Sequence, residues 1–407
     1  MKVHLLFSFV ATASALSYEL AATLPWTPKN ATSVDQSTVY NDTYYLADRT
    51  NSAVHVIDIA TNEEKAPITG FKGLSIRNNK PDSATSGPDG LVVLPDRNEL
   101  YVGDADGLVR VVDLSENRIV ANISTNATTR ADEFAYDPQT NTAVVTNPNE
   151  VPPFVTVISA TERSVLGRIV FNNASGLEQP AWNPASGRFY ISVPSTGANP
   201  GGEIAEIDVT SLTISRVLPL PECIPAGIVF GPGQNLFVGC SQDQILTYGT
   251  AFSPVIDVAT GRIIANISGL SGIDQVAYDP AAMLYYASAY QNLAGGSKSG
   301  TPTPQLGIVD ARSNTLLQTL TTDNVTAHSV AVDPKTNQVI VPLAKDGIAV
   351  YSPAANSTGG SQSGNGTATA TQSGAAKQTN TGRANRPAAC LSGIAAVASF
   401  LLAMCAV

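Results

Sequence analysis

Four carboxylates and a histidine stand at one repeating place in this chain. Asp89, Asp132, Glu178, Asp274 and His328 each lie six residues before a recurring proline, namely Pro95, Pro138, Pro184, Pro280 and Pro334. Ala226, six before Pro232, is the apolar member of the set. The residues that follow are Gly90, Glu133, Gln179, Gly227, Gln275 and Ser329, small or polar throughout. If these acids ring an axis at about 7 Å, each adjacent pair repels by roughly 2 kcal/mol at an effective dielectric near 20. Such a ring must either take up a cation or hold protons at raised pKa. Oxygen ligands suit Ca²⁺ or Mg²⁺ rather than zinc, so Asp89, Asp132, Glu178 and Asp274 are candidate metal ligands. Asp132, Glu178, Asp274 and His328 are candidate acid–base catalysts. A structural reading competes: acids at this register could cap backbone amides where each strand begins.

The elements that would position them form a repeat. The marker prolines are spaced by 43, 46, 48, 48 and 54 residues, the period of a propeller blade. An apolar strand precedes each proline, as in Phe134-Ala135-Tyr136, and a second follows, as in Ala143-Val144-Val145. A third ends in Asp58, Asp113, Asp208, Asp257 or Asp310, where Asp favours a turn, and a fourth recurs as Arg118–Ile123 and Arg262–Ile267. Tyr44-Tyr45-Leu46 belongs to an earlier unit without its proline. Four strands in seven units predict an all-β fold, a seven-bladed β-propeller over residues 18–351. The last unit has three strands, and the segment near Tyr18 to Trp26 is placed to supply its fourth. Long connections at Gly70–Gly87, Pro194–Gly202, Ser241–Ser253 and Tyr290–Gln305 should emerge on the face of the acidic register, where recognition usually lives. His55 aligns with Arg110, Thr156, Ala205 and Gly307, so an exposed place is expected for it.

The copies Tyr136-Asp137-Pro138-Gln139-Thr140-Asn141 and Val332-Asp333-Pro334-Lys335-Thr336-Asn337, each followed by a strand, resemble the YVTN-type propeller family and its lactonase-like relatives. The resemblance implies a divalent ion on carboxylate and amide side chains at the channel mouth, with Asp132, Glu178 and Asp274 at the matching positions. It specifies fold far better than activity.

Both ends read as targeting signals. Residues 1–17 have Lys2, an apolar run Leu5–Val10 and Ala13-Ser14-Ala15, the pattern of a cleaved secretory leader. Residues 352–387 form a Ser/Thr/Gly-rich stretch expected to be a disordered stalk, and 388–407 are almost wholly apolar with no basic residue beyond. That order resembles a glycolipid (GPI) attachment signal, with Ser373, Gly374 or Asn380 as alternative attachment residues. The ensemble resembles fungal cell-surface proteins, on the membrane or in the wall. Asn-X-Ser/Thr sites at Asn30, Asn41, Asn122, Asn126, Asn173, Asn266, Asn324, Asn356 and Asn365 suit the same route. Cys390 and Cys405 leave with the tail, so Cys223 and Cys240 are expected to pair in an oxidising compartment.

Composition narrows the function. With 33 Asp and Glu against 23 Lys and Arg and no basic run, nothing could neutralise a row of phosphates, so nucleic acid is excluded as a partner. His55 and His328 are the histidines left after leader removal, too few for a three-histidine metal centre. No Gly-x-Ser-x-Gly elbow and no organic cofactor motif is present. Two function classes remain. One is a monomeric surface module whose loop-bearing face binds a glycan, a protein or a small molecule. The other is a metal-assisted lactonase- or esterase-like hydrolase, or an isomerase or cyclase, using the acids at the channel mouth.

Overall fold

Each marker motif is a turn whose residues have separate tasks. In a computed structural model, which describes residues 17–354, Asp137 accepts the Gln139 amide (2.8 Å) and the Thr140 hydroxyl (2.7 Å). Asp333 does the same with Lys335 and Thr336. The turn then closes through Asn98, Asn141 or Asn337 in the left-handed region, at φ 51°, 54° and 56°, a conformation that Asn tolerates better than most side chains. The proline fixes the entry angle, and a two-stranded hairpin follows.

Seven such hairpins, extended outward, make seven antiparallel blades. Blade 3 is typical: Phe134–Asp137 is innermost, then Thr142–Asn147, Phe154–Ser159 and the outer Ser164–Val170. The middle strands are buried on both faces because neighbouring blades sandwich them, so they read as continuous apolar runs. The outer strands alternate, as in Arg262–Ser268, because only one face is covered. The core accordingly consists of apolar layers between blades, such as Val144, Val155 and Val157 against Phe189 and Ile191.

The ring closes as the sequence suggested. Tyr18–Leu24 pairs antiparallel with Gly347–Pro353, becoming the outer strand of the blade that also contains Ala331–Asp333 and Gln338–Leu343. The Tyr18 and Tyr286 hydroxyls meet at 2.6 Å, and Gln318 bonds both the N–H and the C=O of Tyr18. Cys223 and Cys240 are bonded, both fully buried, tying the connection between blades 4 and 5 to the end of Asn235–Cys240.

Two expectations need correction. The connection Ser241–Ser253 is not plain loop: Gln242–Tyr248 is one short helix, ended by Gly249 at φ 73°. His55 is not exposed. It is 1% accessible on Ala53–Asp58, with Nε2 2.9 Å from Asp48 Oδ2 and Nδ1 2.5 Å from Glu64 Oε1. The leader, the stalk beyond Ala354, the apolar tail, Asn356, Asn365, Ser373, Gly374 and Asn380 lie outside the described residues.

Burial disfavours the His55 imidazolium, but the Asp48 and Glu64 carboxylates outweigh it and lift the pKa to about 9. A raised histidine stabilises the fold fully below its unfolded pKa of about 6.5 and loses that contribution as pH rises through about 9. Melting temperature measured from pH 6 to 10 should therefore fall more steeply for the native chain than for His55→Gln.

Candidate functional site

The acidic register marks the point where each inner strand begins at the axis. The backbone amides of Asp89, Asp132 and Glu178 donate to Gly103, Thr146 and Ser192 at 3.0, 2.9 and 2.9 Å, and that of Asp274 to Ser288 at 3.4 Å. Close approach of neighbouring blades sets their spacing. A Cβ on Gly90 would stand 2.2 Å from the Asp132 carbonyl oxygen, and one on Gly227 2.2 Å from that of Asp274. Asp132, Glu178, Asp274 and His328 line one cavity of about 300 Å³ at the channel mouth. Asp89 is fully buried behind it, reached through Arg49. Ser83 from the Gly70–Gly87 insertion and Tyr290 from the blade 6 connection also line the cavity.

These acids do not cap amides. Asp89 Oδ1 accepts Arg49 Nε and Nη2 at 2.8 and 2.6 Å, Asp132 Oδ2 forms an ion pair with Arg130 Nη2 at 2.6 Å, and Asp274 Oδ2 meets His328 Nδ1 at 2.8 Å. The capping role belongs to the acids after the third strand: Asp58, Asp113, Asp208, Asp257 and Asp310 accept turn amides such as Ser115 (2.7 Å) and Arg312 (2.7 Å). The two sets of acids share a residue type and differ in every partner.

Four members of the site escaped the register. Asp35 lies six residues before Asn41, so it holds the same place in the blade whose marker proline is absent, and a search by offset alone would have found it. Glu133 follows Asp132; its Oε1 accepts Gln36 Nε2 at 2.6 Å, while its buried Oε2 has no partner. Arg130 precedes a register acid by two residues, a weak signal. Arg49, at the end of Thr43–Asp48, bonds both Asp35 and Asp89 and had no signal in spacing.

The two guanidiniums decide the fit of a metal. Asp35, Asp89 and Asp132 present oxygens within 4.8 Å of one another. Arg49 already bonds the first two, Arg130 bonds the third, and Arg130 Nη1 lies 3.7 and 3.8 Å from Asp35 and Asp89. A divalent ion there would meet two fixed positive charges and oxygens already committed to donors. The residues present do not fit a resident Ca²⁺ or Mg²⁺ at this cluster.

Burial raises most of these carboxyls whether or not an ion-pair partner is present: it pushes Asp89 well above the ordinary range despite the opposing charges of Arg49 and Arg130. Burial, joined by repulsion from Asp132, Glu178 and Asp274, pushes Glu133 well above the ordinary range. Burial followed by Asp274 and Asp132 does the same to Glu178, which accepts no hydrogen bond from the described residues. Burial lifts Asp132 to about 6 against the pull of Arg130. Asp274 goes the other way: burial opposes its charge, but the His328 hydrogen bond and charge outweigh that and hold it low. Burial likewise opposes the His328 imidazolium, and Asp274 overcomes it, raising the pKa. One cavity thus holds carboxyls pushed toward the neutral form beside one held toward the charged form.

No protein-family model matches the chain, and no curated protein matches it. Among solved structures, a chain titled Kuenenia stuttgartiensis Hydrazine Synthase superposes with a TM-score of 0.62 at 15% identity, covering 80% of this chain and 97% of that one. At that identity the likeness shows the fold alone. The fold is a β-propeller.

A glutamic acid kept neutral by burial costs stability once pH passes its unfolded pKa of about 4.5, because the folded state then holds a proton the unfolded chain releases. Glu133→Gln and Glu178→Gln remove that cost. Each should raise stability by about 1 kcal/mol at pH 8 and flatten its fall between pH 5 and 8, read by chemical denaturation. Arg130→Met should do the reverse, costing about 3–5 kcal/mol by stranding buried Asp132.

Proposed function

We propose that the channel mouth is a binding site for a small organic cation, a hydroxylated amine of monosaccharide size, on a secreted, GPI-anchored propeller. The observation that carries this is the unmatched charge at the site. Six carboxyls (Asp35, Asp89, Asp132, Glu133, Glu178, Asp274) face three cationic groups (Arg49, Arg130, His328), and neither Glu133 nor Glu178 makes an ion pair with any of them. An ammonium group would supply the missing charge, and its N–H donors would meet the Glu178 carboxyl and the unpartnered Glu133 Oε2. Tyr290, its ring 5.2 Å from that of His328, adds an aromatic wall suited to a cation. A cavity of about 300 Å³ suits a molecule of that size and excludes a polymer chain.

Glucosamine against glucose isolates the charge at nearly constant shape. Glucosamine should raise the melting temperature, and glucose should not. Glu178→Gln should weaken the effect about tenfold in Kd, as expected for loss of about 1.4 kcal/mol. Equal shifts from both sugars would replace the cation reading with a neutral polyol. No shift from either would leave the site without this class of ligand. Ca²⁺, Mg²⁺ and chelator should each leave the melting curve unchanged.

A second reading rests on one further observation, Glu178 without an ion-pair partner and Asp274 paired with His328 in the same cavity, their pKa values pushed in opposite directions. Glu178 would act as general acid and Asp274, steadied by His328, as base, in lactone or ester hydrolysis, isomerisation or cyclisation. Turnover abolished by both Glu178→Gln and Asp274→Asn would favour it over binding alone.

The surface location is supported by the leader and tail sequences, the buried disulfide, and the exposure of all seven sequon asparagines among the described residues. Among those residues no helix is long and apolar enough to cross a membrane. Phosphatidylinositol-specific phospholipase should release the protein from cell membranes. Retention with the tail beyond Ala388 intact by mass spectrometry would point to a spanning anchor instead.

A further inference from the structure

A larger cavity, about 850 Å³, opens between blades 3 and 4, away from the acidic ring. Its apolar side is made by Val170, at the end of the outer strand of blade 3, and by Ile214 and Val217 on Thr213–Pro219. These side chains are 43%, 38% and 39% exposed, more than their burial in a closed surface would leave. Its polar side is already ordered. Thr196 Oγ1 donates to Glu203 Oε2 at 3.2 Å, the Asn199 amide donates to Thr196 Oγ1 at 3.0 Å, and the Asn199 side chain also bonds Glu203. An apolar wall facing fixed polar groups is the surface that a sugar ring, with one hydrophobic face and a hydroxyl rim, complements.

The same cavity is lined by Asn173, the exposed first residue of Asn173-Ala174-Ser175. The turn bearing it is held by the Ala174 amide on the Phe171 carbonyl (3.2 Å), by the Ser175 amide on the Ser195 carbonyl (2.9 Å), and by an Ala174–Thr196 bridge. Any group attached to the Asn173 amide nitrogen therefore begins at the wall of the groove. The other exposed sequon asparagines, including Asn41 and Asn266, do not line it.

We propose that this groove seats the chain's own N-linked glycan, attached at Asn173. The first two N-acetylglucosamine units lay their apolar ring faces and acetyl methyls on Val170, Ile214 and Val217, and their hydroxyls meet Asn199 and Glu203. Attachment makes the contact intramolecular, at an effective concentration in the millimolar range or above, so weak sugar–protein contacts suffice to hold it. The inference rests on the secretory-route reading, since that route supplies the glycan.

The test uses the full chain secreted from a eukaryotic host, native, treated with a peptide N-glycosidase that cuts at the asparagine, with each site followed by glycopeptide mass spectrometry. Glycans at Asn41 and Asn266 should be released readily. The Asn173 glycan should be released about tenfold more slowly, the factor that a contact worth about 1.4 kcal/mol produces. Val217→Asp and Ile214→Asp, both at partly exposed positions, should bring its release up to the common rate. As a second readout, Asn173→Gln should lower the melting temperature by about 1–2 °C, and Asn41→Gln should not. Release from Asn173 at the same rate as from Asn41, or a bare Asn173 beside glycosylated Asn41 and Asn266, overturns the inference alone. A chain bare at every sequon overturns the secretory reading together with it.

Discussion

A ring of blades exposes two raw sheet faces unless its ends meet, and here one antiparallel pairing joins them. Tyr18–Leu24 completes the blade begun by Ala331–Asp333, so residues more than 300 positions apart share one sheet. Without that pairing, the apolar layer of Leu24, Trp26, Ala31, Ile340 and Ile348 would face water. The channel depends on the same closure. Asp35 and Arg49 come from the first blade and His328 from the last, so the site is complete only in a closed ring.

Closure creates an electrostatic conflict, which the chain resolves only in part. Bringing one carboxylate per blade to the axis concentrates like charge in a low-dielectric setting. Arg49 and Arg130 answer on one side of the channel, each bonded to register acids or their neighbours. On the other side His328 answers Asp274, while Glu133 and Glu178 make no ion pair with the described residues, and Arg130 acts on Glu178 only at a distance. A structural solution was available at low cost, since Gln179 and Gln275 show that amides fit one position along: Gln275 Oε1 accepts the Ser37 and Val330 amides and the Ser329 hydroxyl. Buried carboxyls kept where amides would serve cost stability, and the proposed binding of a cation is the role that would offset that cost.

The fold was legible because each blade repeats the same local argument. A proline-marked turn recurs in six blades, as Asp-Pro-x-Thr-Asn in two of them, the middle strands are apolar on both faces, and the period counts the blades. The site was legible to the extent that it follows the repeat: Asp132, Glu178, Asp274 and His328 were found by offset from the prolines and line one cavity. What escaped breaks the repeat. Asp35 was hidden by Asn41 standing where the marker proline would be. Arg49 comes from a strand end that no other blade uses in this way, and its partners lie 14 and 40 residues away. His55 was misread for a different reason: the aligned residues Arg110, Thr156, Ala205 and Gly307 differ in type but are all buried, and Arg110 meets Asp104 where His55 meets Asp48. A repeat predicts what units share, and chemistry sits where a unit departs from the others.

That rule separates the two sets of aspartates. The acids after the third strand recur in five blades, each with local turn amides as donors; turn amides and nearby side chains hold Asp58, Asp257 and Asp310 below the ordinary carboxylate range, and Arg188 followed by the Thr210 amide does so for Asp208. They are interchangeable parts of a scaffold, and losing one would cost about what losing a turn cap costs. The acids at the axis recur in place but not in partner: Asp89 has Arg49, Asp132 has Arg130, Asp274 has His328, and Glu178 has none. Common position comes from the fold, and divergent partners give each carboxyl its own protonation state. Seven-fold geometry thus delivers the acids to one point, and the unequal distribution of Arg49, Arg130 and His328 turns a symmetric ring into a polarised cavity. One flank carries both guanidiniums; the other holds Glu133, Glu178 and Tyr290.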